Sequence, residues 1–389
     1  MKKFLYFCVM IFTSWNVMAQ IAEGDNCYYP VINEIFTGRG RGWNDCFQEN
    51  IAIPIWQASC PETPSGVTTD PKRHSQAFQP SHSIFNNDVF TDNKMRLVAS
   101  YEYGPQNCND PINGYIIPNC SWHNCNNPHQ YIYYHSGIIQ SVNRYGYGYY
   151  EVRCAMPVHQ AVHASFWLWG GEQHHTYEEI DIMEYSKTDS QEDVYYGYSS
   201  GIWINLDTDT LNGNNIAKDY FHIPSSAPDI REMHTYGCEW LPDRVTFYRD
   251  GEIMKVYSNR DSIPHNTKWI KMSYAINKTE AIIDDYNNLI DNPWFGRDTL
   301  TVDYIKYYQL RTDCNHDITI QTQLQLEQLN TMKRSVILNN PFGMTLSSNV
   351  TKVVRAVDSI VIKGPFELQQ GGKITLITHE CPELSNTNL

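Results

Sequence analysis

Tyr177-Glu178-Glu179-Ile180-Asp181-Ile182-Met183-Glu184-Tyr185 alternates charged and apolar residues with the period of an extended strand. On such a strand Glu179 and Asp181 share a face, whereas strict alternation sends Glu184 to the opposite one. One β-bulge around Ile182-Met183 places two residues against one and returns Glu184 to the shared face. Three acids then line one side of the strand while Ile180, Ile182 or Met183 pack into a core behind it.

The sequence on either side has the same texture. Lys94–Tyr101, Tyr147–Met156, Val162–Trp169, Tyr236–Glu239, Arg244–Arg249 and Leu300–Gln309 are short β-branched or aromatic runs, separated by Gly, Pro, Asn and Asp. Asp250-Gly251, after the run ending at Arg249, suits a tight hairpin because both residues accept positive φ. No helical periodicity of any length precedes residue 320. The expected fold class is all-β: an antiparallel sandwich or jelly roll over residues 20–311. Beyond residue 312, Gln321–Leu329 is polar and Gln-rich, and Val353–Ile362 and Lys373–Thr378 alternate like strands. Residues 312–389 are therefore expected to form a small β-rich C-terminal appendage. Cys314 and Cys381 bracket it and can close it with a disulfide.

Clustering like charges has a chemical consequence. At about 5 Å and an effective dielectric near 20, two carboxylates repel by roughly 3 kcal/mol, or about 2 pKa units. A Glu starting near 4.3 would rise to roughly 6–7 and keep its proton near neutral pH. One ionised and one protonated carboxyl group is what retaining glycoside hydrolysis requires. The same residues also fit an acidic strand face exposed to solvent, or a calcium site, although calcium favours oxygen ligands on a curved loop.

Glu179-Ile180-Asp181-Ile182-Met183-Glu184 resembles the E-x-D-x-x-E signature of glycoside hydrolase family 16, the laminarinase, agarase and carrageenase group. Tyr145–Pro157, Ser165–Gly170, His234–Gly251 and Val302–Gln309 are similar, in order, to further strands of that family, over roughly residues 80–310. The resemblance implies a concanavalin-like β-jelly roll with a substrate-binding sheet. It also implies Glu179 as nucleophile, Glu184 as acid/base and Asp181 as the hydrogen-bonding group that tunes the pair. Laminarinases carry a W-P-x-x-G run before the first Glu, whereas Gly171–Glu178 reads GEQHHTYE. The N-terminal 60 residues and Asn107–Asn127 also depart from the family pattern. The implied activity is a retaining endo-β-glycosidase acting on β-1,3 or mixed-linkage glucans, or on galactans of the agar, porphyran or carrageenan kind. A lectin-like sandwich that binds sugar without cutting it is the alternative.

Outside the acids, Trp167 and Trp169 share one face of a strand and Phe166 and Leu168 the other, and the indoles suit stacking on pyranose faces. Trp203, Trp240 and Trp294 read as core or loop packing. His174-His175, with His159 and His163, lack a third ligand at a recognised spacing and read as loop residues near the cleft. His234 lies in a family-like stretch, where it can hydrogen-bond a catalytic carboxylate or serve structurally. Glu151 and Arg153 alternate on one strand face and can pair, with Arg153 a candidate substrate contact. Asp303 is a candidate ligand for a structural calcium of the kind some relatives hold; no other cofactor is required.

Composition sets the outer limits. The 389 residues are 41% hydrophobic and 19% charged, as in a globular chain with a real core. The 13% aromatic content suits both strands and ring-stacking ligands. A formal net charge of −14 disfavours nucleic acid as a partner. No internal apolar run is long enough to span a bilayer. Met1-Lys2-Lys3, the apolar Phe4–Phe12 and Val17-Met18-Ala19 form a signal peptide over residues 1–19, cleaved before Gln20, so the protein is expected to be secreted or periplasmic. Eleven cysteines become ten once Cys8 leaves, an even number suited to disulfides. Cys27, Cys46, Cys60, Cys108, Cys120 and Cys125 lie in irregular sequence where such closure helps most, while Cys154 and Cys238 are paired or buried in strands. The expected partner is a polysaccharide or oligosaccharide substrate, met by a monomer.

Overall fold

The computed structural model describes residues 22, 25–34, 56–57, 68–69, 76–78, 83–85, 94–106, 132–157, 162–173, 176–186, 196–205, 217–225, 227–276 and 297–382. The segment expected to be a signal peptide, with Cys46, Cys60, Cys108, Cys120, Cys125, His159, His174, His175 and Trp294, lies outside the described residues.

Two large sheets face each other across one core. In the seven-stranded sheet the order is Ala217–Ser225, Tyr196–Asn205, Thr176–Ser186, Val162–Gln173, Trp269–Ile276, Ile138–Ser141 and Trp56–Gln57, with every neighbouring pair antiparallel. The eleven-stranded sheet runs from Glu252–Tyr257 through Arg244–Arg249, His234–Leu241, Gly148–Ala155 and Arg297–Leu310 to Met95–Gln106, with five shorter strands completing it. Alternation explains the layering. Tyr150, Val152, Cys154, Tyr236, Cys238 and Trp240 of the larger sheet meet Phe166, Leu168, Ile180, Ile270, Met272 and Tyr274 of the smaller one. This is the all-β jelly-roll sandwich expected from the short alternating runs. The hairpin at Asp250-Gly251 is present with φ of 50° and 82°, the left-handed pair that a two-residue turn needs.

The last sandwich strand ends at Leu310, and from Thr312 the strands pair in parallel. Ile318–Ile320, Met332–Asn339, Thr351–Lys363 and Lys373–Thr378 stack as successive turns of a coil, with Met344–Leu346 over Phe366–Leu368 on a second side. Equivalent positions recur from Thr345 to Glu367 and from Val353 to Thr375. Leu326, Val336, Leu338, Leu346 and Val354 fill its own core. The Gln-rich stretch forms a short helix, Gln323–Gln328, closed by a capping box between Thr322 and Gln325. Cys314 and Cys381 form a disulfide that ties the two ends of the coil. Cys27, Cys154 and Cys238 are buried free thiols, so the disulfide closure expected at Cys27 is corrected, and of the two alternatives for the strand cysteines it is burial that holds. Each thiol is shielded from water, and burial, with the charge of Asp25, pushes Cys27 up to about 12.

The coil docks on the outer face of the larger sheet. Arg355 is buried, with Nε 2.6 Å from Asp25 Oδ2, Nη2 2.6 Å from Glu239 Oε1 and Nη1 3.0 Å from His379 Nε2. Tyr28 donates to Glu239 at 2.8 Å, and Tyr28, Tyr149, Leu241 and Tyr308 pack around the joint. The smaller sheet's outer face lies on the other side of the sandwich core.

Candidate active site

The carboxylate strand, Thr176–Ser186, carries the bulge that the alternation required. Against Val162–Gln173, Phe166 faces Met183 and Trp167 faces Asp181, so Ile182 is the extra residue. Against Tyr196–Asn205, Asp181 faces Gly201 and Glu184 faces Ser199, which is the same slip seen from the other side. Ile180, Ile182 and Met183 are all buried in the core. The bulge leaves the Ile182 carbonyl to a side chain, and buried Ser200 donates its hydroxyl to it at 2.8 Å.

Register sets out the outward face as three rows. Trp269, Trp169, Glu179 and Trp203 lie side by side in the first. Lys271, Trp167, Asp181 and Gly201 form the second, continued by Tyr220, and Ser273, Ser165, Glu184 and Ser199 the third, continued by His222. Because Gly201 has no side chain, the Tyr220 hydroxyl reaches across it and donates to Asp181 Oδ2. The Trp169 ring centroid lies 6.3 Å from that of Trp167 and 5.7 Å from that of Trp269. Lys271 Nζ sits 3.7 Å from the Trp169 ring centroid and 4.6 Å from that of Trp167, and Arg144 stacks on Trp269 at 3.8 Å. Phe166 and Leu168 are buried while Trp167 and Trp169 are half-exposed, so the indoles take the outward face.

Asp181 is driven toward its neutral form. Burial pushes its pKa well above the usual carboxylate range, and the charges of Glu179 and Glu184 and a hydrogen bond with Glu179 push the same way. Tyr220 opposes them by donating to the ionised form. A neutral Asp181 removes one charge from between the two glutamates. Glu184 Oε1 lies 3.0 Å from His163 Nε2. Adjacent Glu178 turns the other way, as alternation demands, and is a structural anchor. Its carboxylate meets buried Lys268 Nζ at 2.6 Å and the Asn266 amide at 2.9 Å. Burial lowers Lys268 to about 8 despite that ion pair.

Three expected contacts are placed elsewhere. Arg153 projects from the outer face of the larger sheet, across the core from the acids, where it pairs with Asp303 rather than with Glu151 or a substrate. Glu151 instead accepts from Tyr149 at 2.7 Å and Tyr304 at 2.6 Å. Asp303, with its carboxylate taken by a guanidinium, does not fit a calcium site built from several oxygen ligands. Among the described residues no group of three or more His, Cys, Asp or Glu side chains gathers to hold a metal. His234 belongs to the larger sheet and is structural: Nδ1 lies 2.6 Å from Asp250, whose hydrogen bond raises the imidazole pKa, and Nε2 2.9 Å from the Asp229 carbonyl.

Five other residues join the face. His163 is a strand residue beside Glu184 and not a loop residue, and Trp203 flanks Glu179 instead of packing in the core, unlike Trp240, which is fully buried. Tyr220 was missed because Ala217–Ser225 is a weak strand signal. Trp269 and Lys271 had a readable one: Ile270, Met272 and Tyr274 alternate with them and are wholly buried.

The sequence matches the family described as Glycosyl hydrolases family 16 over residues 77–305, more than half of the chain. The chain belongs to glycosyl hydrolases family 16. It is 31% identical over 178 residues to a β-glucanase of Acetivibrio thermocellus, covering 45% of this chain and 46% of the relative. It is 25% identical over 147 residues to a κ-carrageenase of Pseudoalteromonas carrageenovora, covering 34% and 36%. The chain thus spans about half or less of the length of these curated relatives. The structure of SCLam, a non-specific endo-β-1,3(4)-glucanase of family 16, superposes with a TM-score of 0.50 at 16% identity, covering 73% of this chain and 92% of that one, and shares the fold. Among the described residues no helix is long and apolar enough to cross a membrane.

Proposed function

We propose that this family 16 member is a secreted, retaining endo-β-glycosidase that hydrolyses internal β-linkages of a polysaccharide. The observation that carries the reading is the bulge at Ile182, which sets Glu179, Asp181 and Glu184 on one outward face with Asp181 buried between two charges.

Each acid has a separate task. Neutral Asp181 shares a hydrogen bond with Glu179 and leaves that glutamate free to act as an ionised nucleophile at the anomeric carbon. Glu184 protonates the departing glycosidic oxygen, then as carboxylate takes a proton from the water that hydrolyses the glycosyl–enzyme. Trp167, Trp169 and Trp269 offer a ring platform beside Glu179 and Asp181 on which pyranose faces can stack. A β-1,3 or mixed-linkage glucan, or a galactan of the agar, porphyran or carrageenan kind, is the substrate class, in keeping with the β-glucanase and κ-carrageenase among its relatives.

The test is a panel of laminarin, mixed-linkage β-glucan, agarose, porphyran and κ-carrageenan, scored for new reducing ends, product size and the anomer first released. The expected result is oligosaccharides from one of them with retained configuration, lost by at least about a hundredfold in Glu179→Gln and Glu184→Gln. Binding to a panel glycan with no products from the wild-type protein would instead support the lectin-like alternative.

A further inference from the structure

Glu184 shares its end of the face with an imidazole. His163 lies two residues before Ser165 on the neighbouring strand, and Ser165 is the direct cross-strand partner of Glu184, so His163 is a diagonal neighbour on the same face. Its Nε2 comes to 3.0 Å from Glu184 Oε1, and both side chains are partly shielded, at 21% and 30% exposure. Among the described residues, Asp181 and Glu179 on its own strand and Ser199 on the next also face Glu184, with His222 Nδ1 3.3 Å from the Ser199 hydroxyl. Tyr220 feels the charge of Glu184, and Ser273 and Lys271 stand beyond Ser165 and Trp167.

A carboxylic acid has two unequal oxygens, and only one carries the proton. If an imidazole N–H points at Oε1, that oxygen accepts and the acid proton is confined to Oε2. If the imidazole nitrogen is bare, Oε1 carries the proton and gives it to the ring, where it is lost to the leaving group.

We infer that His163 is a positioning residue for Glu184, its Nε2–H donating to Oε1 so that Oε2 holds the proton destined for the glycosidic oxygen. This rests on the reading of Glu184 as acid/base. In the first step the Oε2–H bond breaks as an O–H bond forms on the leaving oxygen, which takes the electron pair of the broken C1–O bond while Glu179 bonds to C1. In the second, water bonds to C1, the Glu179 ester bond breaks, and Oε2 takes the water proton. His163 gains and loses no proton in either step; it keeps hold of Oε1 throughout and fixes the rotation of the carboxyl group.

The inference is tested on the full chain without any substrate. Two-bond ¹H–¹⁵N spectra of protein labelled with ¹⁵N-histidine, assigned by His163→Gln, should show His163 with a proton on Nε2 at pH 7. A bare Nε2 overturns the inference. Carboxyl ¹³C titration, with Glu184 assigned by Glu184→Gln, should move the Glu184 midpoint up by about one pH unit in His163→Ala, because a donor to the ionised form is lost. It should return in His163→Gln, whose side-chain amide can donate in its place. An unmoved midpoint, or a Gln variant indistinguishable from Ala, also overturns it. On the glycan that the wild type cleaves, His163→Ala should lower kcat by about 10–100-fold and carry the alkaline limb of the pH profile upward, with recovery in His163→Gln. Failure of the acid/base reading looks different: Glu184→Gln would then retain wild-type hydrolysis whatever the spectra of His163 show.

Discussion

Replacing Arg355 with Met removes the cation at the joint between coil and sandwich while keeping an unbranched apolar stem. Arg355 and both its carboxylate partners are almost wholly buried, with side-chain exposures of 2% for Arg355, 2% for Asp25 and 7% for Glu239. In the variant Glu239 keeps the Tyr28 hydroxyl and Asp25 keeps the Cys27 amide, but neither has a countercharge from position 355. Breaking a buried pair by removing one member costs about 3–5 kcal/mol, because the remaining charge stays out of water. His379, which burial and the Arg355 charge lower to about 4, can take up a proton once Arg355 is gone and sets the lower end of that range. The pH dependence has a defined sign. Burial raises the Glu239 pKa, but in the wild type Arg355 and the other partners outweigh it and hold the group below its ordinary value. Glu239 therefore contributes stability above the ordinary carboxylate pKa, which is lost as pH falls through the depressed value. In the variant burial acts without Arg355, the pKa moves up, and acidification relieves the buried charge. Urea unfolding followed by tryptophan fluorescence should show a deficit of about 3–5 kcal/mol at pH 7 that narrows towards pH 4. A deficit under about 1 kcal/mol at pH 7, or one that widens on acidification, would refute the idea that a desolvated charge network joins the two parts.

Ser200→Ala should cost about 1–3 kcal/mol, by leaving the bulged Ile182 carbonyl buried without its donor, and lower hydrolysis by displacing Glu184; an unchanged urea midpoint and rate would show that the bulge holds itself. Tyr220→Phe removes the donor that opposes the upward shift of Asp181, so the Asp181 carboxyl should titrate at still higher pH and kcat should fall by about tenfold, the worth of one hydrogen bond of about 1.4 kcal/mol. Carboxyl ¹³C titration and steady-state kinetics check both parts, and no movement in either would be fatal to the assignment. Cys314→Ser releases a loop closed across a sequence separation of 67 and should lower unfolding free energy by about 4 kcal/mol; dithiothreitol should destabilise the wild type and leave the variant unchanged.

Much of the site was legible because a strand's two faces are written in its own sequence. Glu179, Asp181 and Glu184 cannot share a face without an extra residue, so a shared face requires the bulge that the register shows. The split between Trp167 and Trp169 on one side and Phe166 and Leu168 on the other follows in the same way. His163 was misread because its neighbouring histidines suggested a loop, although Val162 to Trp169 already had the strand alternation that carries it.

The tertiary structure decided which faces meet. His234 and Arg153 stand in stretches as family-like as the acids, yet both belong to the larger sheet, and only strand order reveals it. Tyr220 reaches Asp181 because the strand between them places Gly201 in line, a coincidence of register among three segments. Asp181 is driven to hold a proton because burial is the largest cause, and burial is a property of the assembled sheets. The parallel winding of the coil, and the place of Arg355 between Asp25 and Glu239, were likewise unreadable in advance. Alternation along a strand is local and survives in the sequence. Strand order, register and desolvation are set by contacts between residues far apart in the chain, and only the folded protein contains them.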